Sequence, residues 1–345
     1  MRTYRYWRLR DSLYVLQPLR GSFRPTWLAL IALAACSPYD FSKEVGTFNT
    51  GVDQLSNGFT SGYAALAADR AALAQLDLTG TRAKVVIATS CLAIPAKSSQ
   101  TETPCALYRS GDSPPALSEI EQTRDKTTAY LKVLTNYAQA LMAVTNAVDR
   151  AAYNAAVAQL SAAVGTLAKD AGPQGAAAST VAPAAVNLIG WVVGTALDQQ
   201  RFDSLKAGVM AASTPLPNGE IPINYVATEA GAGLFALALA QREVLVKEIN
   251  ILTRPLGPSL SDAAYRQGLS NAQTVVTMLD GLRQTDPTAA TEGLIEAHKA
   301  LVAAVNDPNQ NYATLVKAVG DFADQAAVLH TAFTATPAAK NTTVK

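Results

Sequence analysis

Apolar residues recur at intervals of three and four through nearly all of the chain beyond residue 40, the spacing of one face of an α-helix. Phe41, Val45, Phe48, Val52, Leu55, Phe59, Tyr63 and Leu66 step in this way and predict a first long helix with a coiled-coil-like seam. Gly46, Gly51, Gly58 and Gly62 interrupt it; each weakens a helix by up to ~1 kcal/mol relative to Ala, unless close approach to a neighbour compensates. Residues 78–114 break the pattern. Val85-Val86-Ile87 reads as a short strand or buried turn, and Pro95, Pro104, Gly111, Pro114 and Pro115 punctuate the rest.

The strongest element follows. Ser118 and Glu121 form a capping-box pattern, and neither Gly nor Pro occurs from Ala116 to Val164. Ile120, Thr127, Leu131, Leu134, Leu141, Val144, Val148, Ala151, Ala155, Leu160, Val164 and Leu167 trace one face. Unbroken to Ala171, this helix would reach ~80 Å, and Gly172-Pro173 would stop it. Two apolar helices are expected near 184–212 and 223–253, separated by Pro215, Pro217 and Gly219. Three shorter ones are expected near 259–284, 287–305 and 309–335. Asp286-Pro287 and Asp307-Pro308 each place an N-cap acid before a proline suited to the first helical turn. The fold class is therefore all-α: an elongated bundle of long coiled-coil-like helices over 36–335, with one irregular insertion at 78–114 and a polar, disordered tail at 336–345.

The chain start has a different character. Arg2, Arg5, Arg8, Arg10, Arg20 and Arg24 face a single acid, Asp11, and the apolar run Trp27–Ala35 leads to Cys36. A basic region, a short apolar region and small residues before a cut site make a secretory signal. Nine apolar residues rise only ~14 Å as a helix, too little for a ~30 Å hydrocarbon core. Leu33-Ala34-Ala35-Cys36 resembles a bacterial lipobox. The resemblance implies cleavage after residue 35, a signal peptide over 1–35, and Cys36 as the lipid-modified first residue of the mature chain. Two or three acyl chains anchor stably where one binds only marginally. Ser37, rather than aspartate, follows the cysteine, which for this family implies the outer membrane of a Gram-negative cell, on its periplasmic face.

Removing the leader changes the charge balance. The whole chain has 28 basic and 27 acidic residues; without residues 1–35 it keeps 22 and 26, a net charge of about −4. A mildly acidic chain without a basic patch argues against nucleic acid as a partner. In the oxidising compartment that the lipobox implies, Cys91 and Cys105 form an even pair expected to join in a disulfide stapling the excursion. On the chain-entropy argument, closing that loop contributes roughly 3 kcal/mol.

Catalytic and ligand signatures are sparse. The sequence holds no GxSxG, HExxH, P-loop, EF-hand or Cys-rich zinc pattern, and predicts no catalytic residue, metal site or cofactor. The two histidines, His298 and His330, lack a second histidine at ligand spacing; Glu292, Glu296 and His298 read as a solvated helix face. Gly231-Ala232-Gly233-Leu234-Phe235-Ala236 matches the dinucleotide fingerprint GxGxxA, but its flanks are helical and no βαβ unit surrounds it. Small residues packed against a neighbouring helix account for it better.

One further stretch draws notice. Residues 171–197 carry no charge, and their densest part holds Val186, Leu188, Ile189, Trp191, Val192 and Val193, with a GxxxG at Gly190–Gly194. With the uncharged run Ala230–Ala240 it could form an apolar hairpin, an arrangement that looks like that of α-helical pore-forming toxins. Burial of both runs inside a soluble bundle is the competing expectation. The leading functional expectation is a non-enzymatic envelope lipoprotein, a tethered helical scaffold or adaptor for another envelope protein. A membrane-active bundle inserting residues around 181–240 stands second, and an unrecognised periplasmic hydrolase third.

Overall fold

The seam that opens the chain becomes the spine of the protein. The computed structural model describes residues 40–81, 85–87, 107–110, 119–171, 196–252 and 262–335, all within one compact unit, Tyr39–Lys345. The described elements are α1 (Ser42–Thr81), β1 (Val85–Ile87), β2 (Leu107–Arg109), α2 (Glu119–Thr145), α3 (Arg150–Asp170), α4 (Leu197–Ser213), α5 (Pro222–Leu252), α6 (Asp262–Gln284), α7 (Pro287–Asn306) and α8 (Pro308–Thr334). The fold is all-α apart from one small strand pair.

In α1 the residues Phe41, Val45, Phe48, Val52, Leu55, Phe59 and Leu66 are all buried, as their spacing predicts. The largest share of that burial is against α8, which runs parallel to it. Phe41 meets Tyr312 edge to face, and Phe48 packs on Phe322. Three of the four glycines explain how the helices approach. A Cβ on Gly51 would stand 2.9 Å from Phe322 Cζ, one on Gly58 3.2 Å from His330 Cα, and one on Gly62 3.0 Å from Phe333 Cβ. Those separations are tighter than a side chain ordinarily accepts, so a Cβ would make the neighbours shift, and helix propensity is given up for contact. Gly46 faces open space, and nothing in the packing requires it.

The predicted 80 Å helix does not form. The chain leaves helix at Asn146 and re-enters at Arg150, and the two halves, α2 and α3, pack against each other as a hairpin. Asp149 sets the turn. Its backbone is extended (φ −148°, ψ 178°) and its carboxylate accepts from the Ala152 amide at 2.8 Å, an N-cap. Arg201 of α4 donates to the Ala147 carbonyl while pairing with Asp198 at 2.8 Å, so the turn is held from outside. Folding back lets Tyr153, Leu160 and Leu167 join the same core as Leu131, Tyr137 and Val144; a straight rod would leave them uncovered.

The later helices follow the sequence closely. Asp286 caps α7 by accepting from the Thr288 amide at 2.9 Å, and Asp307 caps α8 by accepting from the Gln310 amide at 3.3 Å; a proline sits in each first turn. Between α4 and α5, Gly219 adopts φ +83°, a left-handed conformation that glycine accepts without strain. Within the 78–114 region, helix persists to Thr81. Val85–Ile87 is a strand, paired antiparallel with Leu107–Arg109, and Ile87 lies opposite Leu107. Cys36, Cys91 and Cys105, residues 184–195 of the predicted 184–212 helix, and the 336–345 tail lie outside the described residues, while the rest of that helix is α4.

Candidate functional site

Of the chemistry-bearing side chains, those of three helices converge on His298. The residue stands on the inner side of α7, 1 % exposed. Its Nε2 lies 2.7 Å from the Tyr137 hydroxyl on α2, and its Nδ1 3.3 Å from Ser213 Oγ at the end of α4. The Phe48 ring of α1 packs beside it. This corrects the expectation of a solvated face. Glu292 and Glu296 are solvated, and Glu296 pairs with Lys299 at 2.6 Å. His298, 200° further round the helix than Glu296, belongs to the opposite side with Leu294 and Leu301. That signal was present in the sequence: His298 follows Leu294 by four and precedes Leu301 by three.

Protonation follows from burial. Removal from water pushes the Tyr137 phenol well above its ordinary range and lowers His298 to about 4. Both groups are neutral near pH 7. The buried phenol must donate, and among the described residues its acceptor is His298 Nε2. The imidazole proton is then on Nδ1, directed at Ser213 Oγ. Ser213 therefore accepts rather than being deprotonated, the reverse of what a nucleophilic serine needs. The trio acts as a buried clasp joining α2, α4 and α7. A second clasp joins α3 to α4, where the Tyr153 hydroxyl lies 2.6 Å from Ser204 Oγ and donates to the Gln200 carbonyl at 3.2 Å.

The GxGxxA segment falls in the middle of α5. A Cβ on Gly231 would collide with the Thr291 side chain of α7, and one on Gly233 with Thr127 of α2. The glycines serve close helix packing, as the sequence suggested. The Ala230–Ala240 run lies in the core through Ala230, Leu234, Leu237 and Ala238, and Gln241 donates to the Gly62 carbonyl at 3.1 Å. Among the described residues, α5 is the one helix long and apolar enough to cross a membrane, and more than half of its most apolar window is buried. The partner arm, with Val186, Leu188, Ile189, Trp191, Val192 and Val193, lies outside the described residues.

Two surface features have no counterpart in the sequence reading. A groove of about 530 Å³ between α6 and α8 is lined mainly by Met278, Leu282, Val328 and Ala332, with Thr277 and Thr331. Beside it, α5 and α6 expose large apolar side chains. Among the described residues no group of three or more His, Cys, Asp or Glu is placed to hold a metal ion. No protein-family model, curated protein or solved structure matches the chain.

Proposed function

We propose that the chain is a lipid-anchored helical scaffold of the cell envelope, non-enzymatic, held at Cys36 on the periplasmic face of the outer membrane and engaging another envelope protein. The lipobox at Leu33–Cys36 carries the reading. Support comes from where the fold begins: Phe41 is already buried, five residues after Cys36, stacked on Phe202 at 5.9 Å. A lipid on Cys36 then tethers the bundle by the end that holds the start of α1, the α2–α3 turn and the start of α8. Most of the exposed large apolar residues belong to α5, α6 and α8, a surface that a tethered scaffold could offer.

The disulfide between Cys91 and Cys105 belongs to the same reading. Ile87 pairs with Leu107, so the chain enters and leaves the intervening segment side by side, four residues before Cys91 and two after Cys105. The alternatives draw less support. A hydrolase centred on Ser213 and His298 would need the serine hydroxyl to donate to Nδ1, the opposite of the proton arrangement argued above. Insertion of the 181–240 hairpin would require α5 to leave Gly62, Thr127 and Thr291.

Mass spectrometry of the chain isolated from an envelope fraction tests the proposal. The expected species begins at Cys36 and carries diacylglycerol and a further acyl chain, and Cys36→Ser abolishes both the lipid and the cleavage. An intact leader, or a mature start elsewhere, overturns it.

A further inference from the structure

The outer side of the α5–α6 hairpin carries two apolar stripes of identical spacing. Phe235, Leu239 and Val246 lie on α5 and Tyr265, Leu269 and Val276 on α6, each between 40 % and 54 % exposed. At 100° per residue, each trio falls within about 40° of its helix circumference. The helices are antiparallel neighbours. Arg242 donates to the Leu282 carbonyl at 2.5 Å and the Thr285 carbonyl at 3.4 Å, and at the other end a Cβ on Gly268 would stand 3.0 Å from the Leu252 carbonyl. That register sets Val246 level with Val276. The helical phase turns the α5 stripe away from the buried Leu234 and Leu237, and sets the α6 stripe on average about 90° round from the buried Ala272, Val275 and Leu282.

Six such side chains, 40–54 % exposed, present on the order of 500 Å², in the upper part of the roughly 300–600 Å² span of a monomer's largest apolar patch, which is often functional. Two copies meeting through this face would remove about 1,000 Å², the lower bound of a specific interface. The flanking charges are of both signs: Arg266, Asp280 and Arg283 on α6 are exposed, and Glu243 pairs with Lys247 on α5 at 3.5 Å. A bilayer surface favours a basic rim, whereas a mixed rim suits a self-complementary contact.

We propose that this face joins two copies of the chain about a two-fold axis, with their α6 helices crossing antiparallel at Gln273. In such a contact, residue i meets j and j meets i. Crossing at Gln273 brings Arg266 of each copy level with Asp280 of the other, seven residues on either side. Among the described residues Arg266 has no ion-pair partner in its own chain, and Asp280 accepts from Gln284 at 2.9 Å with a carboxylate oxygen still available. The inference does not depend on the lipid anchor or the scaffold reading.

Sedimentation equilibrium of the full chain in a mild non-ionic detergent tests it. The expected result is a reversible dimer, which Leu269→Glu and Arg266→Glu each weaken at least about tenfold. Arg266→Glu combined with Asp280→Lys restores association to within about threefold of the unaltered chain, since only a direct pair recovers on exchange of charges. Leu239→Gln, a milder change on α5, probes the same face if Leu269→Glu does not fold. A chain that stays monomeric at every concentration overturns the proposal. So does a dimer indifferent to Leu269→Glu and Leu239→Gln, or one that the charge exchange fails to restore. A monomer that floats with anionic phospholipid vesicles, and loses that binding with Leu269→Glu, assigns the face to a bilayer instead.

Discussion

Tyr137 and His298, 161 residues apart in the chain, meet at 2.7 Å in the core with the phenol donating to the imidazole. Burial of the imidazole makes stability depend on acid. His298 titrates near 6.5 when unfolded and at about 4 when folded, so between those values the unfolded chain binds a proton that the folded chain does not. Stability therefore declines as pH falls from about 6.5 to 4, by at most ~3 kcal/mol for this group. Asp40 and Asp286, whose carboxyls are held below 3.8 by hydrogen bonds from Ser42 and Thr288, add a separate loss at lower pH. Urea unfolding across this range is expected to show the histidine limb, and His298→Leu to remove it. An unchanged acid limb in that variant would place the titration elsewhere.

Truncating the other partner has a different signature. Tyr137→Phe keeps the packing but leaves Nε2 buried without a donor, which costs about 1–3 kcal/mol. Equilibrium unfolding at pH 7 measures it, with no change expected in helix content.

The glycines divide into two kinds, and the division is testable. Gly233→Ala improves helix propensity yet drives a Cβ into Thr127, and about 1–3 kcal/mol of destabilisation is expected. Thr127→Ser in the same chain removes the Cγ2 contact but leaves the nearer hydroxyl; Thr127→Ala removes both and should recover part of the loss, with Cβ still close. Gly46→Ala and Gly165→Ala meet nothing within 4 Å and should each stabilise by roughly 0.5–1 kcal/mol. Thermal melts of the five variants suffice to rank them.

How much of this was legible beforehand varies with the physics involved. The α1 seam was readable because one helix face is buried along most of its length, so spacing alone marks it. The Asp-Pro starts of α7 and α8 were readable because a cap is a local interaction. The break at 146–149 was not, since Asp149 is one acid among helix-compatible neighbours and needs Arg201, 52 residues on, to hold the turn. His298 was misread because two solvated glutamates drew attention to the wrong side of α7, although its spacing from Leu294 and Leu301 pointed inward. The α5–α6 stripes could not be read at all. Exposed and buried apolar residues alternate there on the same helices, and only the packing distinguishes them.

Asp149 gives a direct measure of how the α2–α3 turn is enforced. Asp149→Ala removes the side chain that accepts from Ala152 and should cost about 1 kcal/mol. Arg201→Ala should cost a similar amount by freeing the Ala147 carbonyl. Because both act on one turn, the double variant should fall short of the sum. Strict additivity in urea unfolding would mean that the two residues hold the chain independently.

The apolar stretch around Trp191 offers a way to separate a tethered scaffold from a membrane-active bundle. Trp7 and Trp27 precede Cys36, so a chain cleaved there retains Trp191 as its sole tryptophan, and its emission reports on the uncharged 171–197 run without interference. A scaffold whose apolar run is sheltered by protein should emit in the blue before any lipid is added, and brominated phospholipid in the vesicles should leave that emission unchanged. Insertion predicts the opposite: emission that moves to the blue only with vesicles and is strongly quenched by bromine, since quenching requires contact with the acyl region. Lipid on Cys36 would by itself bring the protein to vesicles, so the measurement belongs with a chain produced without residues 1–36, compared against the acylated chain. Quenching that persists in the unacylated variant would remove the case for a passive tether, because nothing but the 171–240 region would then carry Trp191 into the bilayer.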